Sequence, residues 1–219
     1  MPVAEMQVHL AELYGLDVDY HINDFLITDR QLAGQLGASK GAGEEELLIL
    51  EEDDAASVSL YLEQKLMDRL EQDNPLESLN DRNLADFLVA LEGVSHFTYF
   101  AFKASHDQNV TLLELELQAE VDKFITAAAL LHSQGERVPA GLHNWIFTLP
   151  RLREGLDAEA VERYEHANHY AARYCSKLWP HVRSRTGSQA VRDELRRFYR
   201  LPRELKIGHI ESRVSQVVR

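Results

Sequence analysis

The chain has 219 residues, with 36 aspartates and glutamates against 23 lysines and arginines and a formal net charge of −13. The charge is uneven: residues 1–95 carry 21 acids against 5 bases, whereas residues 181–219 carry 4 acids against 10 bases. An acidic body repels phosphate backbones and anionic lipids, so we expect no binding to nucleic acid, except through the basic tail, and none to membranes.

Cysteine usage and hydropathy bear on the cellular compartment. The single cysteine, Cys175, excludes an intrachain disulfide and is typical of a reducing cytosol. The first residues lack the basic and apolar regions of a secretory signal, and the longest apolar runs, such as 125–131, are too short to span a bilayer. We therefore expect a cytoplasmic protein.

Residues 1–75 mix helix and strand periodicities, which predicts a small α+β subdomain. Apolar residues at helical spacing predict a first helix over 3–13. Alternation over 18–22, which runs on into Phe25, Leu26 and Ile27, predicts a strand that begins a small sheet. Asp29 is placed to cap a short helix, and the glycines of residues 37–43 predict a flexible loop.

Two further strands are predicted over residues 47–50 and 58–62, joined around the acidic residues 52–54. This pattern favours a β-hairpin. In the alternative interpretation, the second segment opens the helix that contains Leu66 and Leu70.

After Pro75 the apolar pattern becomes that of long helices. Residues 76–219 are therefore predicted to form a helical bundle with basic C-terminal helices, and residues 1–75 are expected to join it in one compact unit. The predicted fold class is α+β, mainly α, with a small N-terminal sheet or hairpin packed on the larger bundle. The predicted helices run from Asn80 or Asp81 to about Lys103, from Val110 to about Ser133, from Pro139 to Leu149, from Asp157 to Trp179, from Ser188 and from Pro202.

Glu120 interrupts the apolar stripe of the helix predicted over 110–133. A buried carboxylate needs a cation, a metal, hydrogen-bond donors or a raised pKa, because burying an unpaired charge costs several kcal/mol. Glu114 intrudes on the same apolar face, while Glu116 and Lys123 fall near its boundary. The stripe itself consists of Leu113, Leu117, Phe124, Ala128 and Leu131.

Two neighbouring helices carry further polar groups. In the helix from Asp157, Asn168 faces inward as a helix-to-helix hydrogen-bonding residue, and Glu165 and His169 share one flank, four residues apart. In the helix that ends near Lys103, Glu92 and His96 lie on the lysine's side, which indicates solvent, with Tyr99 between that side and the core. One hypothesis is a metal site between these helices, with Glu120, Glu165, His169, Glu92 and His96 as ligands and Glu114, Asn168 and Tyr99 beside them.

Carboxylates and imidazoles from facing helices can hold iron, manganese or zinc, because each helix fixes a ligand and an apolar wall excludes water. In this arrangement the central third to half of the chain loosely resembles the ferritin-like carboxylate proteins, which implies an inter-helix metal centre. The motif of those proteins is Glu-x-x-His. This chain has Glu-x-x-x-His instead, at Glu92/His96, Glu162/His166 and Glu165/His169.

Two other interpretations of Glu120 stay open. In the one we favour, Glu120 forms a structural ion pair with an arginine such as Arg82, Arg163 or Arg173, because buried charges are usually paired. In the other, Glu120 is a protonated acid with His169 as its counterpart in a metal-free acid–base enzyme.

The basic tail places arginines beside aromatic residues, a composition that can bind RNA or an acidic protein partner. The arginines assigned to partner binding are Arg196, Arg197, Arg200 and Arg203. The interpretation that we prefer is that this helix folds back on the acidic body. A last apolar stripe, formed by Ile207, Ile210, Val214 and Val217, must dock internally or on a second copy, which would give a homodimer.

From the sequence, the first functional hypothesis is a non-catalytic protein-interaction or regulatory module. The alternatives are an enzyme that depends on a divalent metal, iron, manganese or zinc, and the metal-free acid–base enzyme.

Overall fold

The computed structural model describes residues 1–38, 43–52, 55–148, 156–184 and 188–212. Helices dominate and one three-stranded sheet is present, which confirms the predicted α+β, mainly α class. In chain order the elements are α1 (Pro2–Tyr14), β1 (Leu26–Ile27), α2 (Arg30–Gln35), β2 (Glu45–Glu52), β3 (Ala55–Leu62), α3 (Gln64–Gln72), α4 (Leu84–Ala104), α5 (Leu112–Ser133), α6 (Leu142–Thr148), α7 (Ala158–Ser184), α8 (Ser188–Arg200) and α9 (Arg203–Glu211). Most of the glycine loop (39–42), the hairpin turn (53 and 54), Val214 and Val217 lie outside the described residues.

Of the segment predicted to begin the sheet, only the end at Leu26–Ile27 is confirmed as a strand, and the strand predicted over residues 18–22 is wrong. Residues Ile22–Asp24 form a 3₁₀ turn, and β1 begins only at Leu26. The reason is the side chain of Gln7 on α1, which donates to Tyr20 O at 2.9 Å and accepts from Ile22 N at 3.0 Å. These backbone groups are therefore satisfied by a helix side chain rather than by a neighbouring strand.

The sheet has the order β1-β3-β2, with β2 antiparallel to β3 and β1 parallel to it. The register pairs Glu45 with Leu62 and Leu47 with Leu60, which confirms the predicted hairpin over its helical alternative. Helix α4 packs on both long strands. Strand β2 therefore begins beside α4, with Glu45 almost fully buried.

Helix α5 lies between α4 and α7 and packs against both. It starts with a capping box, in which Glu114 N donates to Thr111 Oγ1 and Thr111 N donates to Glu114 Oε2. Its buried residues cover most of its circumference. Polar side chains on most sides of α5 are consequently inside the protein.

Several helix ends differ from the sequence prediction, among them the start of α6, which lies at Leu142 rather than Pro139. Helix α4 begins at Leu84, because Asn83 Oδ1 accepts from Asn80 N and Asn80 Oδ1 accepts from Arg82 N, which forms a turn ahead of the helix. Helix α7 continues past Trp179 and includes Pro180. The predicted cap of α7 is confirmed, since Ala160 N donates to Asp157 Oδ1 at 2.8 Å.

Two tail arginines fold back on the end of α1. Arg196 donates to Glu12 O and Leu13 O at 3.2 and 3.3 Å, and Arg200 donates to Tyr14 O and Gly15 O at 3.0 Å each. The last carbonyls of a helix have no partner inside it and carry partial negative charge, so guanidinium groups suit them. This confirms the folding back of the tail, with main-chain carbonyls in place of acidic side chains.

One hydrophobic cluster extends from Val3 on α1 to Ile210 on α9 and includes residues of the hairpin and of the central helices. Among the described helices, none combines the length and the apolar character that crossing a bilayer requires.

Gly93 on α4 leaves room for the hairpin. A Cβ at this position would lie 2.7 Å from Glu45 Cγ and 2.8 Å from Leu60 Cδ1. We expect Gly93→Ala to destabilise the fold by about 1–2 kcal/mol, because overpacking exceeds the gain of up to about 1 kcal/mol in helix propensity. Urea denaturation of both proteins measures the difference.

The matched control is Gly208→Ala on α9, where an added Cβ meets nothing within 4 Å. This change should be neutral or stabilise by up to about 1 kcal/mol. If Gly93→Ala behaves like this control, Glu45 and Leu60 relocate without strain and the packing argument fails.

Candidate metal centre

Three elements bring six ionisable side chains together. Helix α4 supplies Glu92 and His96, one turn apart, and α5 supplies two of its four acids and a lysine. Strand β2 supplies Glu45, which reaches His96 by crossing Gly93. We call the group the ionic cluster: Glu45, Glu92, His96, Glu116, Glu120 and Lys123. All six side chains are less than a fifth exposed. Within this cluster, four carboxylates face two basic groups.

His96 lies between two carboxylates. Its Nδ1 is 3.3 Å from Glu45 Oε1, and its Nε2 is 3.5 Å from Glu116 Oε2. Burial acts to lower the pKa of His96, but the carboxylates of Glu116 and Glu45 outweigh it and raise the pKa to about 10. The Nε2 contact is too long for a good hydrogen bond, so this buried atom has no hydrogen-bond partner among the described residues.

Lys123 bridges two carboxylates from different helices. Its Nζ lies 2.6 Å from Glu92 Oε2 on α4 and 2.7 Å from Glu120 Oε1 on α5. Burial acts to lower the pKa of Lys123, and the two carboxylates outweigh it and raise the pKa well above its ordinary value. Burial raises the pKa of Glu120, and Lys123 opposes that shift.

The partner of Glu120 is therefore a lysine of the same helix, and the expectation of an arginine is wrong. Lysine reaches back one turn to a glutamate three residues earlier without any tertiary contact. Of the arginines proposed, Arg82 pairs with Asp73 at the surface, and Arg163 lies over the ring of Tyr164. That Glu120 is ion-paired is confirmed.

Three donor atoms of the cluster suit a metal ion. One ligand atom each of Glu92, His96 and Glu116 lies within 4.8 Å of the other two. Donors around a bound transition metal are separated by roughly 3–4 Å, given bond lengths near 2.1 Å, so a pair at the 4.8 Å limit would have to close by about 1 Å. Two carboxylates and an imidazole are ligands that manganese, iron and zinc accept.

The structure divides the predicted ligand set. Glu92 and His96 lie in the ionic cluster, and Glu120 is joined to it through Lys123. Glu165 and His169 lie on the exposed side of α7, outside the metal-ligating group that the described residues form.

The residues expected beside the metal have other surroundings. Asn168 Nδ2 donates to Phe147 O at 2.9 Å and links α7 to α6, as its inward position predicted. Glu114 completes the capping box of α5. Tyr99 faces the tail, with Lys206 Nζ 4.4 Å from its ring centre.

The expectation that Glu92 and His96 face solvent is wrong. His96 is 6% exposed because β2 covers this side of α4. Lys103 is 1% exposed because the following turn folds back, so that its Nζ donates to Gln108 Oε1 at 3.0 Å.

The sequence reasoning did not select Glu45, Glu116 or Lys123 as site residues. The sequence does contain an indication for Lys123, since it is the only lysine or arginine in a helix that carries four acids. Nothing in the sequence distinguishes Glu45, because it is one of three consecutive glutamates at the start of β2.

A second buried polar network lies on the other side of α5. Asp122 accepts hydrogen bonds from Ser95 Oγ at 2.6 Å, from Gln118 Nε2 at 2.9 Å and from the Tyr14 hydroxyl, while Lys206 Nζ donates to Gln118 Oε1 at 2.7 Å. Burial raises the pKa of Asp122 to about 6 and lowers the pKa of Lys206 to about 7. The network ties α1, α4 and α9 to the central helix.

Two surface cavities among the described residues lie beside α1, and the larger has a volume of about 330 Å³. Their walls include Gln7 and Leu16 but no residue of the ionic cluster. The cluster is therefore a buried centre rather than the wall of either cavity.

No protein-family model, curated protein or solved structure matches the chain. The functional proposal is therefore based on the chemistry of the protein's buried groups.

Protonated His96 should stabilise the fold in a pH-dependent way. Its pKa is near 10 in the folded protein and 6.5 when unperturbed, so its contribution is complete below pH 6.5 and is lost as the pH rises through 10. We expect the free energy of unfolding of wild type to exceed that of His96→Gln by on the order of a few kcal/mol at pH 6.5. This difference should shrink as the pH approaches 10. Urea denaturation across this pH range measures it.

Lys206 titrates in the opposite sense, because its pKa is lowered to about 7 and its contribution is lost as the pH falls through that value. Because Lys206 is present in both wild type and His96→Gln, its contribution cancels in the difference between their free energies of unfolding. A difference that stays constant or grows with pH would mean that His96 is neutral in the folded protein.

Proposed function

We propose that this protein binds one divalent transition metal ion, manganese, iron or zinc, through Glu92, His96 and Glu116. The observation that carries the proposal is the convergence of three donor atoms from α4 and α5 within 4.8 Å, two of them on buried residues and the third on Glu92, whose side chain is 13% exposed. A second observation points the same way, because His96 Nε2 is buried beside Glu116 without a hydrogen-bond partner among the described residues. Such an atom gains a partner when a metal binds.

Glu45 gives the imidazole the orientation that a ligand needs. Histidines that bind metals usually donate the N–H of their other ring nitrogen to a carboxylate or carbonyl, which fixes the tautomer. Glu45 Oε1, 3.3 Å from Nδ1, is placed to accept that proton. With Nδ1 held in this way, Nε2 is the nitrogen directed at Glu116 and at the metal.

The metal competes with a proton for His96. Because the pKa of His96 is raised to about 10, the imidazole is protonated at neutral pH and must release a proton when its nitrogen binds a metal. Metal affinity should consequently increase with pH. Burial favours the exchange, since a dication offsets the acidic excess of the cluster better than one proton does.

A binding role has more support than catalysis. A catalytic metal keeps a coordination position open to substrate, whereas the three donors lie in a buried cluster away from both cavities beside α1. The metal-dependent enzyme thus remains a less supported extension of the same site.

The protein-interaction or regulatory role is a second proposal. Of the four arginines assigned to partner binding, Arg197, Arg200 and Arg203 are exposed, and Arg196 and Arg200 already bind the end of α1. An acidic partner or a second copy would therefore meet Arg197 and Arg203.

The metal proposal predicts near-stoichiometric binding. Protein purified without chelators and titrated with manganese or zinc should bind about one ion per chain, with affinity rising about tenfold per pH unit below the pKa of His96. His96→Ala and Glu116→Gln should abolish or strongly weaken binding. Isothermal titration calorimetry and elemental mass spectrometry measure affinity and stoichiometry.

The matched controls are Glu165→Gln and His169→Ala, which remove the same ligand types from the exposed face of α7. They should bind like wild type. If wild type binds no metal, or if His96→Ala binds as well as wild type, the proposal is wrong.

Glu45→Gln tests the orienting carboxylate. Loss of such an outer partner typically weakens metal binding roughly 10- to 100-fold, so we expect an affinity reduced by that factor with the stoichiometry unchanged. An unchanged affinity would remove Glu45 from the site while leaving the three ligands in place.

A further inference from the structure

One ligand of the proposed metal site is shared with a lysine. Glu92 belongs to the metal-ligating group, and its Oε2 lies 2.6 Å from Lys123 Nζ. Lys123 has a second carboxylate within reach, because Glu120 Oε1 lies 2.7 Å from the same nitrogen. The lysine therefore bridges a metal ligand and a carboxylate outside the three-ligand set.

An ammonium group and a dication repel each other when both contact one buried carboxylate. The side chains of Lys123 and Glu92 are only 12% and 13% exposed, so solvent screens this repulsion weakly. Metal binding has to move Lys123 away from Glu92 or proceed at reduced affinity. The lysine side chain is flexible, and Glu120 already holds its other side, so the move requires no backbone shift.

We propose that Lys123 is a built-in competitor of the metal: it neutralises Glu92 in the metal-free protein, is held by Glu120 alone in the metal-bound protein, and thereby sets the metal affinity. This inference rests on the proposed metal site. It assigns opposite effects to the two partners of one ion pair. Lys123 opposes metal binding, and Glu120 favours it by drawing the lysine away from Glu92.

The test is a double-mutant cycle with Lys123→Met and Glu120→Gln, in which manganese and zinc affinities are measured by calorimetry. Lys123→Met should bind metal roughly tenfold or more tightly than wild type, because the competing charge is gone. Glu120→Gln should bind roughly tenfold more weakly, because Lys123 then has Glu92 as its remaining partner.

The double variant separates the lysine's role from general electrostatics. If Glu120 acts through Lys123, then Glu120→Gln weakens binding much less in the Lys123→Met background than in wild type. If it acts merely as a nearby negative charge, the loss is equal in both backgrounds, and that result would overturn the inference.

The control for the change in charge is Lys103→Met, a buried lysine at the end of α4 whose Nζ donates to Gln108. It should bind metal within about twofold of wild type. Circular dichroism checks that each variant is folded. If Lys123→Met does not fold, Lys123→Gln takes its place in the cycle.

The outcomes distinguish this inference from the metal site itself. If neither wild type nor any variant binds manganese or zinc, the proposed function fails and the inference fails with it. If wild type binds and Lys123→Met binds no more tightly, the inference alone is overturned.

Discussion

The burial of charge on α5 is the constraint on which the rest of the structure depends. This helix lies between α4 and α7 and carries four acids and one lysine. Glu114 and Glu120 find partners at the cap and on the helix itself, whereas Glu116 and Asp122 take theirs from neighbouring elements. On one side, α4 and β2 bring His96 and Glu45 to the ionic cluster. On the other, α1 and α9 bring Tyr14 and Lys206 to Asp122 and Gln118. The charges of the central helix thus fix how sheet and tail pack on the bundle.

The same groups that hold the fold together are those a metal would use. His96 joins α4 to β2 and α5 as a cation, and it becomes a ligand only when it releases a proton. Lys123 joins α4 to α5 through Glu92, which is itself one of the proposed ligands. In the proposed site, metal binding would release the proton of His96 and shift Lys123 from Glu92 to Glu120, so the contacts that stabilise the metal-free fold would compete with the metal.

The position of Glu120 in an apolar stripe correctly indicated a buried charge with a partner, and Lys123, three residues later, was within reach of local reasoning. The burial of Glu92 and His96 could not be predicted from local patterns, because the periodicity of their own helix places them beside Lys103 and thus toward water. The covering elements are a strand some 50 residues earlier in the chain and a returning turn. Periodicity tells which side chains share a face, and it does not tell which faces are covered.

Local patterns in the sequence by themselves determined the long helices, the hairpin, the caps at Asp29 and Asp157 and the buried carboxylate, because each depends on residues a few positions apart. Only the tertiary structure decided which polar groups meet. Glu45 reaches His96 because β2 lies on α4 at a glycine, and Glu165 and His169 stay outside because the side of α7 that carries them is exposed. Contacts between distant segments depend on how faces pack in space, and the spacing of residues along one helix contains no information about that packing.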